Sequence, residues 1–181
     1  MTKKTEVVLG VTGSVAIYKA CEIVRLLNKH NCVVSVVMTK EAEEFIRPLL
    51  FSSLSGQPVY TSMFYTPQQW EIEHISLAQR AEVLLIAPAT ANVIAKMAAG
   101  LCDDLLTCIA LATTAPILVC PAMNEQMYKN PITQENIKKL KKQGVYIVEP
   151  RRGQLACGLV GQGCLASVEE IVQKTLGLIR K

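Results

Sequence analysis

Apolar positions follow two rhythms along this chain. Short, mostly β-branched or aliphatic runs at Glu6 to Val11, Val33 to Thr39, Val83 to Ala87, Pro116 to Cys120 and Val145 to Val148 predict five buried strands. Between them the spacing is helical. Val15 to Lys29 carries apolar residues at 16, 17, 20, 21, 23, 24 and 27, and similar patterns run through Ile75 to Arg80, Val93 to Ala99, Leu105 to Ala112 and Ile132 to Gln143. Glu41 to Ile46 reads as a helical turn with Phe45 on its apolar face, and Leu49 to Leu54 as a short helix stopped by Gly56. Ser167 to Lys181 is a terminal helix opened by the capping pattern Ser167-x-x-Glu170. Pro58 to Met63 suggests an edge strand, Thr66 to Glu73 an exposed polar stretch, and Pro150 to Ala166 a loop with four glycines. Strands alternating with helices predict an α/β fold: a doubly wound parallel sheet of Rossmann-like or flavodoxin-like order, helices on both faces, in a single domain over residues 1–181.

Composition narrows the class. With 181 residues, 50% of them hydrophobic and 19% charged, the chain can bury a full core and is not a disordered sequence. The net charge of +4 is mild. Its cations are dispersed except at Lys138 to Lys142, read as a solvated helix face, and at Arg151-Arg152, read as an anion contact; neither is a nucleic-acid footprint. The opening M-T-K-K-T-E has no apolar signal core and no apolar run approaches a membrane span, so a cytoplasmic protein is expected. Seven cysteines without a C-x-x-C pair, beside only two histidines, argue against a metal site and a disulfide framework. Five of them fall in apolar patterns and are expected as core thiols, whereas Cys157 and Cys164 lie in the glycine-rich stretch.

Candidate chemistry gathers where strands end. Gly13 and Ser14 form a tight turn between the first strand and its helix, suited either to a mononucleotide phosphate or to a plain helix cap. Thr39 closes the second strand, Thr90 and Asn92 follow the strand at Val83, and Met123 and Asn124 follow the strand at Pro116. In open parallel sheets ligands bind at those carboxyl ends, so one site could gather all four groups. The octapeptide P-A-M-N-E-Q-M-Y, residues 121–128, reads either as a wall of that site or as a turn with core-filling methionines. His74 precedes a short helix, where a capping or surface role is the plainer alternative. Asp103 and Asp104 are explained by capping of the helix at Leu105.

Three stretches, A-P-A-T-A-N, P-A-M-N-E-Q-M-Y and L-A-C-G-L-V-G-Q-G, with His74 upstream and D-D-L-L-T between, together resemble the flavin-containing cysteine decarboxylases, in particular the branch serving coenzyme A biosynthesis. The resemblance covers nearly the whole chain. It implies FMN bound between subunits of a homotrimer, or of trimers assembled into a dodecamer, and decarboxylation of 4'-phosphopantothenoylcysteine to 4'-phosphopantetheine by a stand-alone enzyme. By matching positions, Gly13, Ser14, Val15 and Thr39 would hold the FMN phosphate end, and Phe45 with Thr90, Ala91, Asn92 and Val93 the ribityl chain and ring, with Met123 beside them. His74 matches the essential histidine. Asn124 matches the asparagine that binds the substrate carboxylate, Met127 lies beside the substrate, and Cys157 matches the proton donor that completes the reduction.

Thr90 stands where many members have serine, Tyr128 where tryptophan is frequent, and Cys164 where many bacterial members have arginine, which Arg151 or Arg152 could replace. Within the family the rival is a peptidyl-cysteine decarboxylase that stops at the ene-thiol, disfavoured by Cys157. A flavin prenyltransferase shares the fold but not the P-A-M-N motif. An FMN-binding regulatory subunit is the alternative of another class, and an activity assay separates it.

Overall fold

The computed structural model describes residues 4–63, 73–156 and 158–179. Its centre is a six-stranded parallel sheet of β1 (Thr5–Val11), β2 (Cys32–Met38), β3 (Val59–Tyr60), β4 (Val83–Ala89), β5 (Ile117–Pro121) and β6 (Tyr146–Ile147), in the order β3-β2-β1-β4-β5-β6. This is the Rossmann-type order, which settles the choice that periodicity left open. All seven residues of β4 are buried. A strand covered on both faces has no wet side, so its sequence is continuously apolar.

Alternate side chains feed two cores. Val7, Leu9 and Val11 with Val83, Leu85 and Ala87 pack against α1 (Tyr18–Lys29), α3 (Pro48–Ser55) and α9 (Val168–Ile179). Val8 with Leu84 and Ile86 packs against α4 (Glu73–Arg80), α5 (Ala91–Ala99), α6 (Leu105–Ala112) and α8 (Pro131–Lys142). Gly10 faces α6, where an added Cβ would stand 2.4 Å from Leu106 Cδ1, so the glycine lets that helix approach the sheet. Two short helices, α2 (Lys40–Glu43) and α7 (Glu125–Lys129), follow the exits of β2 and β5.

Helix ends use the expected caps. Asp104 Oδ1 accepts from Thr107 N at 2.8 Å in a full capping box on α6, and Asn130 Oδ1 accepts from Ile132 N at 2.9 Å ahead of Pro131. Ser167 Oγ accepts from Glu170 N at 3.2 Å. Asp103 instead pairs with Lys96 Nζ at 2.8 Å. Among the described residues no helix is long and apolar enough to cross a membrane.

Several expectations are corrected. The stretch Pro150 to Ala166 is not a loop throughout: β7 (Arg151–Gln154) and β8 (Val160–Cys164) form an antiparallel hairpin. Helical spacing from Val15 begins with a tight 3-10 turn, Val15–Ile17, and becomes α-helix only at Tyr18. The edge strand is two residues long, and the short helix expected from Leu49 begins one residue earlier, with Pro48 at its first position. Of the five expected core thiols only Cys32 and Cys120 are buried; Cys21 and Cys108 are half-buried and Cys102 is exposed. Most of the polar stretch from Thr66, and Cys157, lie outside the described residues, while Glu73 is the first residue of α4.

Candidate active site

The turn after β1 is stitched to three neighbouring strand ends. Buried Thr12 donates its hydroxyl to the Pro88 carbonyl at 2.8 Å and accepts from Thr90 N at 3.0 Å, at the place where the β4–β5 pairing shifts register. Ser14 Oγ donates to the Ala122 carbonyl at 3.3 Å beyond β5, and accepts from Ala16 N at 3.4 Å. Thr39 N donates to the Val11 carbonyl at 3.0 Å. The switch point of the sheet, between β1 and β4, is therefore held by two hydroxyl residues rather than by packing alone. Thr12 is absent from the motif-based candidates; its signal was a hydroxyl residue ending an otherwise apolar strand.

Gly13 has a packing reason, since a Cβ there would lie 2.5 Å from Glu41 Cβ. That contact sets α2 against the β1 turn. Thr39 occupies the N-cap position of α2 yet its side chain caps nothing, and its Oγ1 is buried without a hydrogen-bond partner. A buried hydroxyl without a partner is costly unless a ligand satisfies it. Thr90 caps α5, accepting from Val93 N at 3.4 Å. Asn92 is exposed and Ala91 half-buried beside it, but Val93 is 2% exposed with its side chain spent in the core. Phe45 stands 52% exposed just past α2, contrary to a residue packed on an apolar helix face.

A cavity of about 700 Å³ opens between this turn and the β7–β8 hairpin. Its walls are Ser14, Val15 and Lys19 on one side, Ala122 to Asn124 on the second, and Arg151 to Ala156 with Cys164 on the third. Asn124 caps α7 through its carbonyl oxygen, which accepts from Gln126 N at 2.8 Å. Behind it Tyr128 is buried, its hydroxyl bonded to the Glu149 carboxylate, which also pairs with Lys141 at 2.5 Å. Burial, then this carboxylate, push the Tyr128 phenol well above its ordinary value. The aromatic therefore anchors α7 from below and does not face the cavity.

The hairpin rides directly on the Met123 turn. Met123 N donates to the Gly163 carbonyl at 3.0 Å, and Gln162 N donates to Glu125 Oε1 at 3.2 Å. A Cβ on Gly163 would fall 2.1 Å from the Met123 carbonyl oxygen, and one on Gly161 would fall 2.6 Å from the Glu125 carboxylate. These glycines are set by contact. Gly163 also takes a positive φ of +150°, while Gly158, at φ +84° with nothing around it, answers to the shape of the turn alone.

Three cations surround the cavity. Lys19 is the second residue of α1, and Arg151 pairs across the hairpin with Cys164. Burial, followed by the Arg151 charge, lowers the Lys19 pKa, and an anion placed between them would favour the charged form of both. The sequence reading had Arg151 and Arg152 but missed Lys19, whose spacing from Ser14 along the helix was the available signal. The structure thus brings Ser14, Val15, Met123 and Asn124 to one cavity. Thr39, Phe45 and Thr90 to Asn92 sit at neighbouring strand exits outside its walls, exposed Met127 also lies outside them, and His74 stands half-buried near the start of α4.

A family model described as Flavoprotein matches residues 1–180. The chain is 45% identical over 176 residues to the probable phosphopantothenoylcysteine decarboxylase of Streptococcus mutans, covering 96% of this chain and 97% of that protein. It is 46% identical over 167 residues to the coenzyme A biosynthesis bifunctional protein CoaBC of Vibrio vulnificus, covering 92% of this chain but 42% of that one, so it spans less than half of the bifunctional relatives it matches. Among solved structures, a cysteine-to-serine mutant of PPC decarboxylase complexed with pantothenoylaminoethenethiol superposes with a TM-score of 0.86 at 32% identity, over 99% of this chain and 100% of that one. The FMN-dependent cysteine decarboxylase SpaF superposes with a TM-score of 0.85 at 27% identity, over 98% of each chain.

Proposed function

The chain belongs to the flavoprotein family, and we propose that it is an FMN-dependent carboxy-lyase that converts 4'-phosphopantothenoylcysteine to 4'-phosphopantetheine in coenzyme A biosynthesis. The observation that carries this reading is the cavity lined by Asn124 and by the β7–β8 hairpin, with Lys19, Arg151 and Arg152 in its walls. Its volume of about 700 Å³ suits a ligand of that size. Two of the relatives named above, the Streptococcus mutans protein and the PPC decarboxylase mutant, carry the name of this activity.

The strand-exit residues fit FMN. Thr39 Oγ1, buried and without a partner, matches the hydroxyl that a phosphate oxygen would satisfy, beside the Gly13–Ser14 turn. Val15, Phe45 and Asn92 are exposed at the same strand exits, where a ring and a second copy of the chain would cover them in a homo-oligomer. When bound, the flavin supplies the two-electron sink and source that a simple cysteine carboxylate lacks.

This chain's own residues do the rest. Lys19, Arg151 and Arg152 hold the phosphate end of the substrate. Asn124, fixed by its cap on α7, holds the carboxylate with a neutral donor, so the group that must leave is not over-stabilised in the ground state. His74 orients the substrate thiol, reaching it from α4 of an adjacent subunit. Cys157 delivers the final proton, a role suited to a thiol that is mostly protonated at neutral pH. The hairpin keeps water from the reacting carbon.

Purified protein should be yellow, with a flavin absorbance spectrum, and should release CO2 from 4'-phosphopantothenoylcysteine. A colourless protein that releases none refutes the reading. Cys157→Ser should keep the flavin and stop at an oxidised, decarboxylated product; normal turnover to the saturated thiol would place the proton donor elsewhere.

A further inference from the structure

Sulfur atoms meet at a second place, outside the cavity walls. Cys102 lies in the connection between α5 and α6, Cys108 on α6, and Met63 in the segment after β3. Cys108 Sγ is 3.4 Å from Met63 Sδ and 3.3 Å from the Cys102 carbonyl oxygen. Burial first, and then the neighbouring Cys102 thiol, raise the Cys108 thiol above its ordinary pKa, in keeping with the two residues lying side by side. Cys108 and Met63 are half-buried, while Cys102 is exposed, so core packing does not account for its position.

The donor set is soft. Among the described residues no three His, Cys, Asp or Glu side chains converge as a metal site. The neighbouring carboxylates are engaged by Lys96, at 2.8 Å from Asp103 and 2.9 Å from Asp104. What remains is two thiols and a thioether, a combination that selects a polarisable monovalent cation over zinc, calcium or magnesium. We propose that Cys102, Cys108 and Met63 form a three-sulfur binding site for a soft d10 cation, Cu(I) or Ag(I).

A metal with sulfur bonds of about 2.3 Å in a trigonal plane separates its ligands by about 4.0 Å. The observed 3.4 Å between Cys108 Sγ and Met63 Sδ requires an opening of roughly half an ångström, within the reach of the unbranched methionine. Binding exchanges the two thiol protons for the cation: one Cu(I) enters, two protons leave, and no electron is transferred. Exposed Cys102 gives the ion its way in. The ion then ties the segment after β3 to α6.

The test is an anaerobic titration of the full-length, as-purified protein with Cu(I), in competition with bicinchoninate. One tightly bound Cu(I) per chain is expected to depend on this cluster. C102S and C108S should each weaken it at least tenfold and M63L severalfold, while C21S, at a half-buried thiol on α1, leaves it unchanged. Far-UV circular dichroism checks each fold; if C108S fails to fold, exposed Cys102 and the volume-conserving M63L carry the comparison. Equal Cu(I) affinity in wild type, C102S and M63L overturns the proposal, as does displacement of Cu(I) by equimolar Zn(II).

Discussion

Replacing Gly163 by alanine tests whether the hairpin is held by direct backbone contact. The new Cβ would lie 2.1 Å from the Met123 carbonyl oxygen, and backbone on both sides leaves no flexible side chain to yield. Gly163 also sits at φ +150°, where a side chain costs about 1–3 kcal/mol. Separating the strands to relieve the overlap breaks the Met123 N to Gly163 O bond, worth about 1 kcal/mol. Together these come to roughly 2–4 kcal/mol, a factor of about 30 to 1,000 in the docked population. Gly158→Ala is the matched control: its φ of +84° is unfavourable too, but a Cβ meets nothing within 4 Å, so only a conformational cost of about 1 kcal/mol applies. Urea unfolding followed by circular dichroism measures stability, hydrogen exchange at the Met123 amide measures docking, and kcat/KM measures the site. G163A should lose protection at Met123 and most of its activity, with G158A close to wild type. Equal exchange and equal kcat/KM in the two variants would show that the hairpin does not depend on this contact.

Thr39→Val removes a buried hydroxyl that has no partner, so the flavin-free protein should be as stable or slightly more stable, while FMN affinity falls about 10- to 100-fold, the value of a bond to a charged oxygen. A fluorescence titration with FMN decides it, and unchanged affinity removes Thr39 from the phosphate site. Lys19 has a lowered pKa, so the unfolded chain binds its proton more tightly and stability should rise as pH increases through the interval below the ordinary lysine value. Lys19→Met should flatten that alkaline rise in a pH series of unfolding curves and raise KM for the phosphorylated substrate about tenfold with little change in kcat. Asp104→Ala should cost about 1–2 kcal/mol through loss of the α6 cap. Burial opposes ionisation of Asp104, but bonds from Thr107 and Lys96 overcome it and hold the carboxyl below its usual range; the stabilisation it contributes is present above the unfolded carboxylate pKa and lost as pH falls below it, so wild type and variant should converge in acid melting curves.

Particular segments show why some of the molecule was legible and some was not. The five strands and the helices at Val93, Leu105 and Ile132 are written in local periodicity, and their caps at Asp104, Asn130 and Ser167 in single residues. The hairpin was not. Arg151–Gln154 and Val160–Cys164 are short, polar and glycine-rich, with no alternation of apolar side chains to mark them, and the close contacts of Gly161 and Gly163 are with Glu125 and Met123, almost forty residues earlier. Cys21 and Cys108 misled for a related reason, because an apolar neighbourhood in sequence does not say which face of a helix meets the core, and Cys102 lies in the connection between α5 and α6.

The sequence by itself determined the α/β class and the alternation of strands and helices that gives a parallel sheet, since these depend on interactions between near neighbours. Only the tertiary structure decided the strand order, the hub at Thr12 and Ser14, the place of Lys19 beside Arg151, and the seating of the hairpin on Met123. Each of those joins residues far apart in the chain. Such contacts become visible only when the sheet has brought its strand ends together.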